Sequence, residues 1–175
     1  MAQQDAVIRL LLVEDRLDDA EQIISHLRNG GMAVRPQRPE SEDELVEILG
    51  KQSIDIVVAA FEASYLPLAT VLERVTATGK DIPVIASVTT LDEKVALAAL
   101  AAGTRDVAIR GRAEHMQAVV RSEFSALHAR RGLRHLEAAL RETERRCDAL
   151  IASSRDPVAY VHEGMHIRAN DAYLD

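Results

Sequence analysis

Two adjacent carboxylates, Glu14 and Asp15, follow the apolar run Val7–Val13 and carry the clearest chemical signal in the chain. Hard oxygen ligands at a strand end could hold a divalent cation such as magnesium, which wants an octahedron of oxygens. Two carboxylates without a third make a weak octahedral site, so the pair is expected to be solvated turn residues at the mouth of a sheet, with no metal and no cofactor bound. The remaining reactive side chains form no constellation. His26, His115, His128, His135, His162 and His166 show no HExxH spacing, and no phosphate-cradling glycine loop is present. No GxSxG elbow marks a serine nucleophile. The single Cys147 excludes an internal disulfide and a cysteine-rich zinc site.

Composition narrows the class. The 175 residues suffice for one domain of ordinary size and an appendage. Hydrophobic residues make up 47% and aromatics 3%, so the core must be aliphatic. A net charge of −7 with so few aromatics speaks against direct nucleic-acid binding. No apolar run approaches the ~18 residues of a membrane span, and the polar start lacks a basic signal region. The expectation is a soluble, cytoplasmic protein.

The elements that must position the acidic pair follow from periodicity. Val7–Val13 reads as a strand buried on both faces, as in a parallel sheet. Leu17, Ala20, Ile23, Ile24 and Leu27 have helical spacing, stopped by Asn29-Gly30-Gly31. Met32–Pro36 reads as a strand that its prolines place at an edge. Ser41 and Glu44 form a capping-box pattern ahead of Leu45, Ile48 and Leu49. Ile54–Ala60, Ile82–Val88 and Asp106–Ile109 are further strands. The helices between them span about 67–78 and 92–102, the second closed by Gly103. Five β-then-α units require a parallel, doubly wound sheet with helices on both faces.

Chemistry in such sheets sits at the carboxyl ends of the strands. Those ends carry Glu14 and Asp15, Ala60, Val88 and Thr89, and Arg110 and Gly111. Leu11–Asp15, Asp55–Ala60, Ile82–Ile85 and Ala98–Asp106, in that order, resemble the receiver domain of bacterial response regulators over Val7 to about Leu127. The resemblance implies a CheY-like, flavodoxin-like fold and phosphoryl transfer to an aspartate at the end of strand three, assisted by a cation. The aspartate position falls on Ala60, the phosphate-sensing hydroxyl on Val88, and the lysine–proline pair on Arg110-Gly111. Of the usual set only Glu14 and Asp15 remain, as a vestigial pair. No catalytic residue is therefore expected, and the chain is read as no enzyme. Phosphorylation on a displaced acid, Glu62 or Asp15, is one alternative. A small molecule bound in an emptied, more apolar pocket is the other.

Residues from about 113 to 153 form one helical stretch interrupted only by Gly132. Its first part carries Met116, Val119, Val120, Phe124 and Leu127, suited to a sheet. Its second part carries Leu133, Leu136, Leu140, Thr143, Cys147 and Leu150 at spacings of 3, 4, 3, 4 and 3, an a/d seam. The two stripes need a phase shift near Gly132. The seam predicts a homodimer through the long helix, with Cys147 as packing. Asp156-Pro157 ends the helix, and Val158–Val161, a Glu163-Gly164 turn and Met165–Ala169 read as a β-hairpin.

Leu150–Val161, with Gly164 and Asn170, resembles the entry to a PAS domain. Receiver, helical linker and PAS entry are the order found at the front of FimX-type cyclic-di-GMP signalling proteins, which continue into GGDEF and EAL domains and support type IV pili and twitching motility. The expected organisation is a receiver-like domain over 1–127, a coiled-coil linker over 128–154 and a truncated PAS start over 155–175. The expected role is a non-catalytic pseudo-receiver for dimerisation, relay, a protein partner and polar localisation, with cyclic-di-GMP not bound by this segment.

Overall fold

A computed structural model describes residues 6–90 and 92–174. The chain divides into two compact units after His128. In the first, strands β1 (Ile8–Val13), β2 (Val34–Gln37), β3 (Ile56–Ala60), β4 (Val84–Val88) and β5 (Asp106–Ile109) alternate with helices α1 (Leu17–Asn29), α2 (Glu42–Lys51), α3 (Leu68–Ala77) and α4 (Glu93–Ala102). The sheet is entirely parallel in the order β2-β1-β3-β4-β5. Helix α5 (Ala113–Ser153) follows β5 and runs for 41 residues.

The near-continuous aliphatic strands are buried on both faces. Leu11, Val13, Val57, Ala59, Val84, Ala86 and Val88 pack against α2 and α3 residues on one side. Leu10, Leu12, Ile56, Val58 and Ile85 pack with Ile23 and Leu27 of α1 and Met116, Val119 and Val120 of α5 on the other. Pleat alternation produces this division, since successive side chains point to opposite faces. At the amino end of the sheet Arg9 grips the buried Asp55 through Nε at 2.8 Å and Nη2 at 2.7 Å, a bidentate clamp between β1 and β3.

The helix ends follow their local chemistry. Ser41 Oγ accepts from Glu44 N at 3.2 Å, while the Glu44 carboxylate reaches back to Glu40 N rather than to Ser41 N, a capping box displaced by one residue. Asp92 caps α4, and Gly103 closes it at φ +110°. Helix α4 buries only Ala99 and leaves Leu97 and Leu100 exposed. Both sheet edges have particular features. β2 carries Pro36 opposite Leu10. In β5 the Val107 amide donates to Asp106 Oδ1 at 2.7 Å and the Ile109 amide to His115 Nδ1 at 3.1 Å.

In the second unit, strands β6 (Ala159–His162) and β7 (Met165–Ala169) pair antiparallel, and a short helix α6 (Asp171–Leu174) follows. The two-residue hairpin loop has positive φ at both positions, +50° at Glu163 and +79° at Gly164. That sign pattern matches the twist of the flanking strands. The seam residues Leu133, Leu136, Leu140 and Leu150 are 59–72% exposed in the single chain, and Cys147 is also exposed. Among the described residues no helix is long and apolar enough to cross a membrane.

Candidate functional site

The carboxyl ends of β1, β3, β4 and β5 bring the expected residues to one mouth. β3 and β4 pair Ala60 with Ser87, and β4 and β5 pair Val88 with Ile109. Ala60 is 4% exposed and offers a methyl group where the resemblance calls for a nucleophilic carboxylate. Val88 turns into the α2–α3 side of the core. Ser87, one residue earlier and on the opposite pleat, brings a buried hydroxyl to the mouth.

Glu14 departs from the sequence expectation. It is not a solvated turn residue: it is fully buried, and Arg110, which follows the edge strand β5 at the same mouth, reaches it. Arg110 Nη2 lies 3.1 Å from Glu14 Oε2, Nη1 lies 2.8 Å from Asp19 Oδ2 on α1, and Nε donates to Ser87 Oγ at 3.2 Å. The guanidinium thus bridges two carboxylates and donates to the strand-four hydroxyl. The Glu14 contact is an ion pair without well-directed hydrogen bonds, and neither carboxylate oxygen has such a bond among the described residues. Burial pushes the Glu14 carboxyl above its ordinary range, while the Ser87 hydroxyl and Arg110 pull it back.

Asp15 is exposed, as expected, but committed. Both its oxygens accept from the Ser64 amide, at 2.9 and 3.0 Å, and Oδ2 accepts from Ser64 Oγ at 2.6 Å. The Ser64 hydroxyl is the chief cause holding the carboxyl below its usual range. Arg38, following β2, donates to the Glu14 carbonyl at 2.9 Å and stands 5.5 Å over the Tyr65 ring, whose hydroxyl donates to the Pro39 carbonyl. The loops after β1, β2 and β3 are therefore tied to one another by side chains.

These residues do not fit a magnesium ion. Glu14 faces Arg110, the Asp15 oxygens are turned to Ser64, and Ala60 supplies no third oxygen. Among the described residues no group of three His, Cys, Asp or Glu side chains could hold a metal. The small-molecule alternative supposes an emptied, more apolar pocket at this mouth. The recess at the mouth is about 50 Å³ and is lined by Ser87, Thr89, Thr90, Glu62 and Arg110 beside Phe61, Val88 and Val95. It is polar, and far below the ~300 Å³ at which small-molecule sites begin.

Sequence reasoning missed Ser87, Asp19, Arg38 and Ser64. Arg110 was visible as a strand-end cation, but its partners lie far away in the chain.

With this geometry in hand, the fold can be placed. No family profile matches the chain, and no curated protein matches it. Solved structures do. The signal receiver domain of a LuxO repressor protein from Vibrio parahaemolyticus aligns with a TM-score of 0.62 at 13% identity, over 73% of this chain and 98% of that one. A CheY-like response regulator receiver domain protein from Methanospirillum hungatei aligns at 0.58 and 11%, over 71% and 99%. A fusion containing the trimeric coiled coil of yeast Spc42 aligns at 0.61 and 16%, over 85% and 99%. The chain has the CheY-like receiver fold, with a long C-terminal helix and a terminal hairpin.

Proposed function

We propose that the chain is a pseudo-receiver: a signalling module of receiver fold that does not accept a phosphoryl group and works by dimerisation and relay through α5. One observation carries this reading: Arg110 bridges Glu14 and Asp19 and holds Ser87, at a mouth where Ala60 replaces the nucleophile. An internal guanidinium then supplies the positive charge that a cation would supply in a reactive receiver. The hydrogen bonds from Ser64 to Asp15 tie the loop after β3 to the loop after β1 with no phosphoryl group involved.

The exposed seam of α5 supports homodimerisation. Each leucine buried there contributes about 1.5–3 kcal/mol before the entropy of association is subtracted. The similarity to a fusion that contains a trimeric coiled coil supports self-association through a long helix. The organisation proposed is a receiver-like domain to about residue 127, a coiled-coil linker over 128–154 and a PAS entry over 155–175. The context proposed is a multidomain cyclic-di-GMP signalling protein of the FimX type, acting on type IV pili and twitching motility with a protein partner.

The test is intact mass after incubation with a small phosphodonor and magnesium. The mass is expected to stay unchanged, and Ala60→Asp is expected to react weakly at most, because Arg110 still occupies the mouth. A stoichiometric phosphate adduct on the unaltered chain, removed by substituting Glu62 or Asp15, would overturn the reading in favour of a displaced acid.

A further inference from the structure

Asn170 is the one buried polar residue among the described residues of the second unit, 4% exposed. Every polar group of its side chain is used, in two directions. Its Oδ1 accepts from the Val158 backbone amide at 2.9 Å, and the Asn170 backbone amide donates to the Val158 carbonyl at 3.0 Å. Its Nδ2 donates to the Ser154 carbonyl at 3.2 Å and to the Asp156 carbonyl at 2.9 Å. The first pair fixes the base of the hairpin. The second fixes the segment that leaves α5, since Ser154 and Asp156 lie just beyond its last residue, Ser153.

A second tie runs parallel to it: Arg168 of β7 forms an ion pair with Asp148, in the last turns of α5. Between the two ties Asp148, Ile151, Ala152, Arg168, Ala169 and Asn170 line one shallow groove. The hairpin is otherwise poorly anchored, with Tyr160, Val161, Met165 and Ile167 all exposed, and an isolated two-stranded hairpin is marginal in water.

We propose that Asn170 is the joint that makes the hairpin follow the end of α5, so that rotation or displacement of the helix is passed to β6 and β7 as a rigid movement. The Nδ2 donors are the coupling half of the residue and Oδ1 is the hairpin half. This inference rests on the relay reading for its purpose, though the joint itself lies within one chain.

The experiment places spin labels at Glu144→Cys and His162→Cys in a Cys147→Ala background of the full chain, with labelled chains diluted in unlabelled ones. Pulsed dipolar distances are read together with hydrogen exchange at Val158. The parent should give a single narrow distance peak and a protected Val158 amide. Asn170→Ala should broaden the peak and lose the protection. Asn170→Asp keeps the acceptor for Val158 but sets a carboxylate oxygen against two carbonyls, so protection should persist while the peak broadens. A narrow peak in either variant, or a broad one in the parent, overturns the joint. Light scattering on the same samples separates the two ideas: a monomeric parent defeats the dimeric relay and leaves the intrachain distance to judge Asn170.

Discussion

Arg110 Nη2 and Glu14 Oε2 stand 3.1 Å apart, with the Glu14 side chain 1% and the Arg110 side chain 19% exposed. A pair this well shielded costs desolvation of both ions, and its removal by halves is worse than its absence. The relationship makes Arg110 a structural necessity for as long as Glu14 is charged.

The pH dependence of stability follows from that burial. The folded Glu14 carboxyl titrates above its ordinary 4.5. Over the interval from 4.5 to the raised value the folded chain holds a proton that the unfolded chain has lost, so this residue's contribution to stability falls as pH rises and then levels off. Urea melts across that interval should show the slope in the parent and lose it in Glu14→Gln. Arg110→Ala should extend that slope to higher pH and cost about 3 kcal/mol or more at neutral pH, the penalty for stranding a buried charge. An Arg110→Ala chain as stable as the parent at pH 7 would mean that Glu14 is neutral there.

The seam gives a second test. Leu136→Glu combined with Leu140→Glu places like charges at two layers of the proposed coil. Light scattering should report a monomer while circular dichroism keeps its α/β signature, since neither residue belongs to the receiver core. A mutant that stays dimeric would assign the interface to another surface.

Gly132 lies inside α5, and a methyl group added there meets nothing within 4 Å. Gly132→Ala should therefore stabilise the helix by about 1 kcal/mol, chiefly by restricting the unfolded chain. The readout is a higher melting midpoint for the helical signal. A lower midpoint would show that α5 needs to bend at this residue.

The fold was largely legible because it rests on periodicity. The runs at 7–13, 54–60 and 82–88 are too apolar for half-exposed strands, and their alternation with helical stripes leaves a parallel sheet as the only economical arrangement. Ala60 could be placed by counting along β3 from Asp55. What could not be read was the pairing of side chains across loops. Arg110 meets Asp19 from 91 residues away, and Ser64 meets Asp15 from 49. Such contacts depend on strand register and rotamer, which leave no periodic trace. Glu14 was misjudged for the same reason: an acid after a strand looks solvated until the arginine that covers it is found. Asn170 was noted only as part of a resemblance, since nothing in its neighbours announces that it will be buried.

The two edges of the sheet have a consequence for how the protein can associate. An exposed edge strand is a template on which another chain can add a strand. On β2, Pro36 has no amide to offer. On β5, the Val107 and Ile109 amides are already occupied by Asp106 and His115 of the same chain. Strand addition is thus blunted at both edges of the five-stranded sheet, so copies of this unit are expected to meet through helices rather than by extending that sheet.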